Sequence, residues 1–237
     1  MASVTIKNLH KRFGELTVLD GLDLEISSGG IFAVLGPNGS GKTTLIKCIL
    51  GMVIPDRGEI LINQQSVLGQ WRYRNQLNYL PQIANFPPNL SVHELLVMVR
   101  EMRPKDCHMT DLVALFGLEE FLPKKLGKLS GGTKQKVNLV LTFMFDSELI
   151  ILDEPTNGLD PIAMIHLKDL IQTEKGRGKT ILITTHIMSL VEEMAEDIVF
   201  LLDGKTHFRG SVETLLAQTD QLNLERAIAH VMTKNCA

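Results

Sequence analysis

Apolar and polar residues alternate over residues 4–9 and 22–26, the pattern of half-buried strands. Ser27-Ser28-Gly29-Gly30 then turns the chain into an unbroken apolar run, residues 31–35, which predicts a strand buried on both faces. A glycine-rich loop follows. After it, residues 42–51 read as a helix, 55–58 as a turn and 59–63 as a strand. The middle of the chain changes period: Ser91 stands as an N-cap, with Glu94 in position to close a capping box on a helix running to residue 101. A second helix is expected over 110–116. Beyond Ser130 strand and helix alternate, with strands over 149–152, 180–184 and 198–202 and helices over 162–174 and 188–195. That order predicts an α/β fold with a largely parallel sheet, helices on its faces and a small helical insert. After Val212 one or two short amphipathic helices are expected, with no recognisable chemistry.

Composition narrows the class. At 237 residues, 44% hydrophobic and 22% charged with a net charge of -3, the chain fits an ordinary globular domain with at most a small subdomain. No basic field points to nucleic acid. The longest apolar stretches, residues 137–145 and 149–152, fall far short of the roughly 20 residues that cross a bilayer, so membrane contact is expected only through a partner. Lys7, Lys11 and Arg12 arrive before any apolar run of signal-peptide length, and the chain is expected to stay inside the cell. Cys48, Cys107 and Cys236 are scattered without metal-type spacing and read as structural thiols in a reducing compartment.

Gly36-Pro37-Asn38-Gly39-Ser40-Gly41-Lys42-Thr43 fits G-x-x-x-x-G-K-[ST], and it lies between a buried strand and a helix, as a phosphate loop requires. Glycines let successive backbone N–H groups and the helix N-terminus face an anion. The Lys42 ammonium is expected on the β and γ phosphates, the Thr43 hydroxyl on magnesium and Thr44 on the α phosphate. The competing reading is a glycine-rich turn with an exposed lysine; strand, loop and helix in that order argue against it. Downstream, an apolar strand delivers Asp153 to the C-terminal edge of the sheet, where ligands bind in open α/β sheets. Asp153 is expected to hold magnesium through a water, and Glu154 to polarise or deprotonate an attacking water.

With these motifs and Leu129-Ser130-Gly131-Gly132 between them, the chain resembles an ABC-type ATPase over nearly all of residues 2–215. The resemblance implies a P-loop NTPase core with a mostly parallel sheet and an N-terminal antiparallel β subdomain. It also implies a helical subdomain inserted at about 84–138, within an ATPase domain spanning 1–215, and a short helical tail over 216–237. By the same resemblance Phe13 stacks on adenine, the alternative being an ordinary core phenylalanine. Gln82 touches magnesium and the attacking water, and His186 contacts the γ phosphate. Ser130, Gly131 and Gly132 act on the ATP of a partner copy, and Asp160 belongs to a loop crossing the subunit interface. ATP and Mg2+ are the implied ligands. The implied partners are a second copy or a related ATPase subunit and a separate transmembrane permease, which would hold the chain on the inner face of the cytoplasmic membrane.

One departure stands out: Thr133 occupies the place where the family's signature usually continues with glutamine. Together with Leu224-Glu225-Arg226-Ala227-Ile228, which resembles the closing segment of many exporter ATPases, it leans toward an export-type system. An ATP-responsive switch without turnover would lack Glu154 or His186, and both are present. Heads of DNA-repair or chromosome ATPases need a long coiled-coil insert between phosphate loop and signature, which is missing here. A relative of unfused translation factors would carry two ATPase halves.

Overall fold

The computed structural model describes residues 2–103 and 107–235; Cys236 lies outside them. In chain order, β1 (Ala2–Phe13), β2 (Leu16–Ser27) and β3 (Gly30–Leu35) lead into α1 (Lys42–Ile49), β4 (Arg57–Ile62) and the short β5 (Gln65–Ser66). Then come β6 (Leu77–Leu80), α2 (Val92–Met102), α3 (Met109–Leu115) and α4 (Gly131–Phe143). The chain closes with β7 (Leu149–Asp153), α5 (Pro161–Gly176), β8 (Thr180–Thr184), α6 (Met188–Met194), β9 (Asp197–Leu202), β10 (Lys205–Gly210), α7 (Val212–Thr219) and α8 (Leu224–Asn235).

Two sheets form. One is antiparallel, in the order β2-β1-β4-β5; the other is six-stranded, in the order β10-β9-β3-β8-β7-β6, and parallel except for β10. The apolar alternation of β1 breaks after Ile6, because the next buried apolar residue is Leu9. A register shift between Ile6 and Leu9 repairs the phase, with Asn8 at a φ of 47°. Asparagine tolerates that left-handed conformation, and the extra residue of a bulge returns Leu9 to the core face.

The parallel strands bury both faces. On one, Ile150, Leu152, Ile181 and Ile183 pack with apolar residues of α2, α4 and α5. On the other, Leu149, Ile151 and Leu182 join Leu45, Ile46 and Ile49 of α1 and the inner residues of the antiparallel sheet. A third cluster seats α7 and α8 against Leu35, Ile198 and Phe200. The helices of the middle region therefore share one core with the sheet. Four elements have no counterpart in the sequence analysis: β5, β6, β10 and α4.

The capping box at α2 is present in full. The Ser91 hydroxyl accepts from Glu94 N–H at 3.2 Å, and the Glu94 carboxylate accepts from Ser91 N–H at 2.7 Å. Removing the cap in Ser91→Ala should cost about 1 kcal/mol. In a chain of this size that lowers Tm by about 2–4 °C, read by circular dichroism on heating. The Ser91 N–H, the Ser91 hydroxyl and Lys125 together hold the Glu94 carboxyl down at about 2. A lowered pKa stabilises the fold above the ordinary value of 4.5 and loses its effect as the pH falls toward 2, so the gap between parent and variant should narrow over that window. A gap that widens with acid would contradict this account of the cap.

Candidate active site

The loop between β3 and α1 is shaped by close approach. Gly41 has a φ of 104°, and a Cβ there would lie 2.8 Å from the Val18 carbonyl and 2.9 Å from a Leu19 methyl. Only glycine fits that turn into the helix. α1 then starts with no side-chain cap and no acidic residue in its first turn, so its positive end and its free N–H groups are open to an anion. Lys42 sits within this cradle. Its Nζ donates to the carbonyls of Gly36 at 2.7 Å and Pro37 at 3.0 Å, and burial lowers its pKa against the opposing pull of Glu154 and Asp153.

Parallel register brings the other half of the site to the same edge. Asp153 pairs with Thr184 across β7 and β8, and Thr184 pairs with Val34 across β8 and β3. Asp153 is buried; one carboxylate oxygen accepts from the Thr184 hydroxyl, and the other has no protein partner. Burial, chiefly, raises its pKa. Glu154 follows at a φ of 50°, a left-handed conformation that a non-glycine residue adopts only at a cost of about 1–2 kcal/mol. Its N–H donates to Thr184 O at 2.9 Å. Its Oε2 lies 2.9 Å from His186 Nδ1, joining an 8% exposed carboxylate to a 65% exposed imidazole.

These groups line a cleft of about 330 Å³ formed by Leu16, Val18, Asn38, Gly39, Gly41, Lys42, Thr43, Thr44, Gln82, Asp153 and Glu154. The expected residues Lys42, Thr43, Thr44, Gln82, Asp153 and Glu154 thus converge, with His186 attached through Glu154. Gly36, Pro37 and Ser40 belong to the same loop but not to this lining. Phe13, Ser130, Gly131, Gly132 and Asp160 lie outside this lining. Phe13 is 51% exposed with the Lys11 ammonium 5.3 Å from its ring centre, which excludes the core-phenylalanine alternative. Leu16 and Val18 were missed, since two apolar residues at a strand start carry no chemical signal.

Ser130 caps α4, and this helix reaches the loops that follow β6 and β7. Gln135 donates to the Pro155 carbonyl at 3.0 Å, just past Glu154, and Asn138 donates to the Pro81 carbonyl at 3.1 Å, beside Gln82. Lys136 pairs with Asp160 at 2.6 Å. Gly132 meets the 157–160 loop so closely that a Cβ would stand 2.5 Å from the Gly158 carbonyl. Gln135 and Asn138 are buried polar side chains that sequence reading did not single out. Their signal was an amide on the verge of an apolar run and a second one inside it, each of which needs a partner when buried.

The family model for ABC transporter matches residues 19–157. Over 222 residues the chain is 35% identical to the Nod factor export ATP-binding protein I of Burkholderia lata, covering 91% of this chain and 73% of that protein. Over 204 residues it is 34% identical to the lantibiotic transport ATP-binding protein SrtF of Streptococcus pyogenes, covering 84% and 87%. Among solved structures, an ATP-binding subunit of an ABC transporter superposes with a TM-score of 0.90 at 29% identity, over 97% of this chain and 99% of that one. A dimeric post-hydrolysis ATP-binding cassette bound to ADP and Pi shares the fold, with a TM-score of 0.79 at 24% identity over 88% and 98%. The chain therefore belongs to the ABC transporter family, as one of its ATP-binding, ATP-hydrolysing subunits.

Proposed function

We propose that this subunit is the cytoplasmic motor of an export-type transporter, and that ATP closes two copies, or one copy and a related subunit, against each other to drive a separate membrane permease. The observation that carries the reading is Glu154 in one cleft with Asp153 and Lys42 and paired with His186 at its edge: a hydrolytic set rather than a binding site alone. In this reading the loop residues Gly36, Pro37, Asn38, Gly39, Ser40 and Gly41 cradle the phosphates. Lys42 leaves its own loop carbonyls for the β and γ phosphates, and Thr44 serves the α phosphate. Phe13, exposed at the end of β1, stacks on adenine.

The donor set fits a magnesium ion. A buried carboxylate oxygen of Asp153 without a protein partner, a threonine hydroxyl and an amide are hard oxygen donors in one cleft. Among the described residues no cluster of three or more His, Cys, Asp or Glu side chains forms a metal site of its own. A cation bound here would therefore rely on phosphate oxygens as well as Thr43, Asp153 and Gln82. When bound, it supplies positive charge to the phosphates. Glu154 accepts the proton of the attacking water, and His186 holds the Glu154 carboxylate in place while its exposed edge faces the γ phosphate.

Ser130, Gly131 and Gly132 lie outside the cleft of their own chain, which agrees with a role on the ATP of the opposite copy. Asp160, the N-cap of α5 and paired with Lys136 of α4, would lie at that interface. We further propose that residues 84–138 act as the subdomain that receives the permease, within an ATPase domain of 1–215 followed by a tail over 216–237. No helix among the described residues is long and apolar enough to cross a membrane, which favours attachment through that permease. The export direction rests on the Nod factor export relative and on the tail segment.

Glu154→Gln separates binding from chemistry. ATP should still bind while hydrolysis falls by roughly two or more orders of magnitude, the weight of a general base. Light scattering should then find a long-lived ATP-dependent dimer. Hydrolysis at the parent rate would make Glu154 a bystander and move the base elsewhere.

A further inference from the structure

Ser130 stands exposed as the N-cap of α4, and its hydroxyl has two neighbours, both from one residue. Thr133 N–H donates to Ser130 Oγ at 3.2 Å, and Thr133 Oγ1 lies 2.9 Å from the same oxygen. A serine hydroxyl has one proton to give and two lone pairs to fill. The backbone N–H fills one lone pair. The direction of the second bond decides where the Ser130 proton goes.

We propose that Thr133 is a positioning residue: its hydroxyl donates to Ser130 Oγ, fills the second lone pair and turns the Ser130 proton outward, toward a phosphate of ATP held by the opposite copy. The inference rests on the composite site proposed above and adds the residue that aims its hydrogen bond. An anion in front of Ser130 selects this direction, because Ser130 can donate to it only while accepting from Thr133, and a relay of two hydroxyls ending on a charge strengthens each link. Gly131 leaves the approach clear, since a Cβ there would meet nothing within 4 Å. Thr133 itself is partly buried at the base of the relay. A glutamine at this third helical position reaches back instead to the N-cap backbone N–H, the geometry of a capping box, and leaves the serine proton free to rotate.

The same chain contains an internal control. Ser211 and Thr214 at the start of α7 repeat the arrangement, with hydroxyls 3.1 Å apart and the backbone bond at 3.2 Å, and neither residue lines the nucleotide cleft. The serine–threonine pair is thus a local cap that sequence sets by itself, and α4 is where it meets a phosphate.

The test is ATP-driven dimerisation in the Glu154→Gln background, followed by sedimentation over a concentration series. Thr133→Val keeps the branched shape and the backbone cap but loses the hydroxyl; it should weaken association about tenfold, the scale of one charge-assisted hydrogen bond, without changing ATP affinity of the monomer. Thr133→Ser should restore association, and Thr214→Val should leave it at the parent level. In the hydrolysing enzyme Thr133→Val should lower kcat, with the loss again rescued by serine. Parent-like association of Thr133→Val while Ser130→Ala is impaired would overturn the positioning role and leave the composite site standing. Parent-like association of both variants would overturn the composite site and this inference with it. Equal weakening by Thr214→Val would reduce the effect to general loss of a helix cap and also overturn it.

Discussion

The parallel pairing of β3, β8 and β7 is the constraint on which the rest depends. Val34 opposite Thr184, and Thr184 opposite Asp153, put the exits of three buried strands at one level. From those exits come the phosphate loop, the buried carboxylate pair and, two residues beyond β8, His186. A shift of one residue in any of these pairings would turn the apolar residues that now fill both faces out of register with their clusters. The core thus fixes the chemistry: the same burial that stabilises the sheet strips water from Asp153 and Lys42 and raises the one pKa while lowering the other. Charges held at that cost are poised for a ligand that brings opposite charges of its own.

α4 ties this edge to the rest of the molecule. Its Gln135 and Asn138 reach the carbonyls that follow Glu154 and precede Gln82, and its start is pressed against Gly158. Hydrogen bonds and close packing thus join the loops after β6 and β7 to the helix that begins at Ser130.

Much of this was legible in the sequence because each chemical motif is set locally. The glycines of the loop, the apolar strand ending in Asp153 and the capping box at Ser91 have their conformations dictated by neighbours in the chain, and each formed as read. What escaped was set at a distance. β6 is four residues long with buried Asn78 inside it, and its polarity is satisfied by the Phe145 carbonyl and by Arg103, far along the chain. β10 reads as polar and forms because it covers the edge of β9. α4 opens with two glycines, poor helix formers, and is held by the Ser130 cap and by partners on two other loops. Leu16 and Val18 reach the cleft only through the path of β2.

If no single copy holds a complete site, as proposed above, complementation between two broken copies reads it out. Lys42→Ala spoils a phosphate loop and keeps its Ser130; Ser130→Arg keeps its loop and blocks its cap with bulk and charge. In the Glu154→Gln background, where closed dimers persist, light scattering with ATP should find each variant alone monomeric. Mixed in equal amounts they should associate, because the mixed pair contains one site with both halves intact. Variants that associate alone as well as the Glu154→Gln parent does, or a mixture that stays monomeric while that parent dimerises, would contradict the shared site.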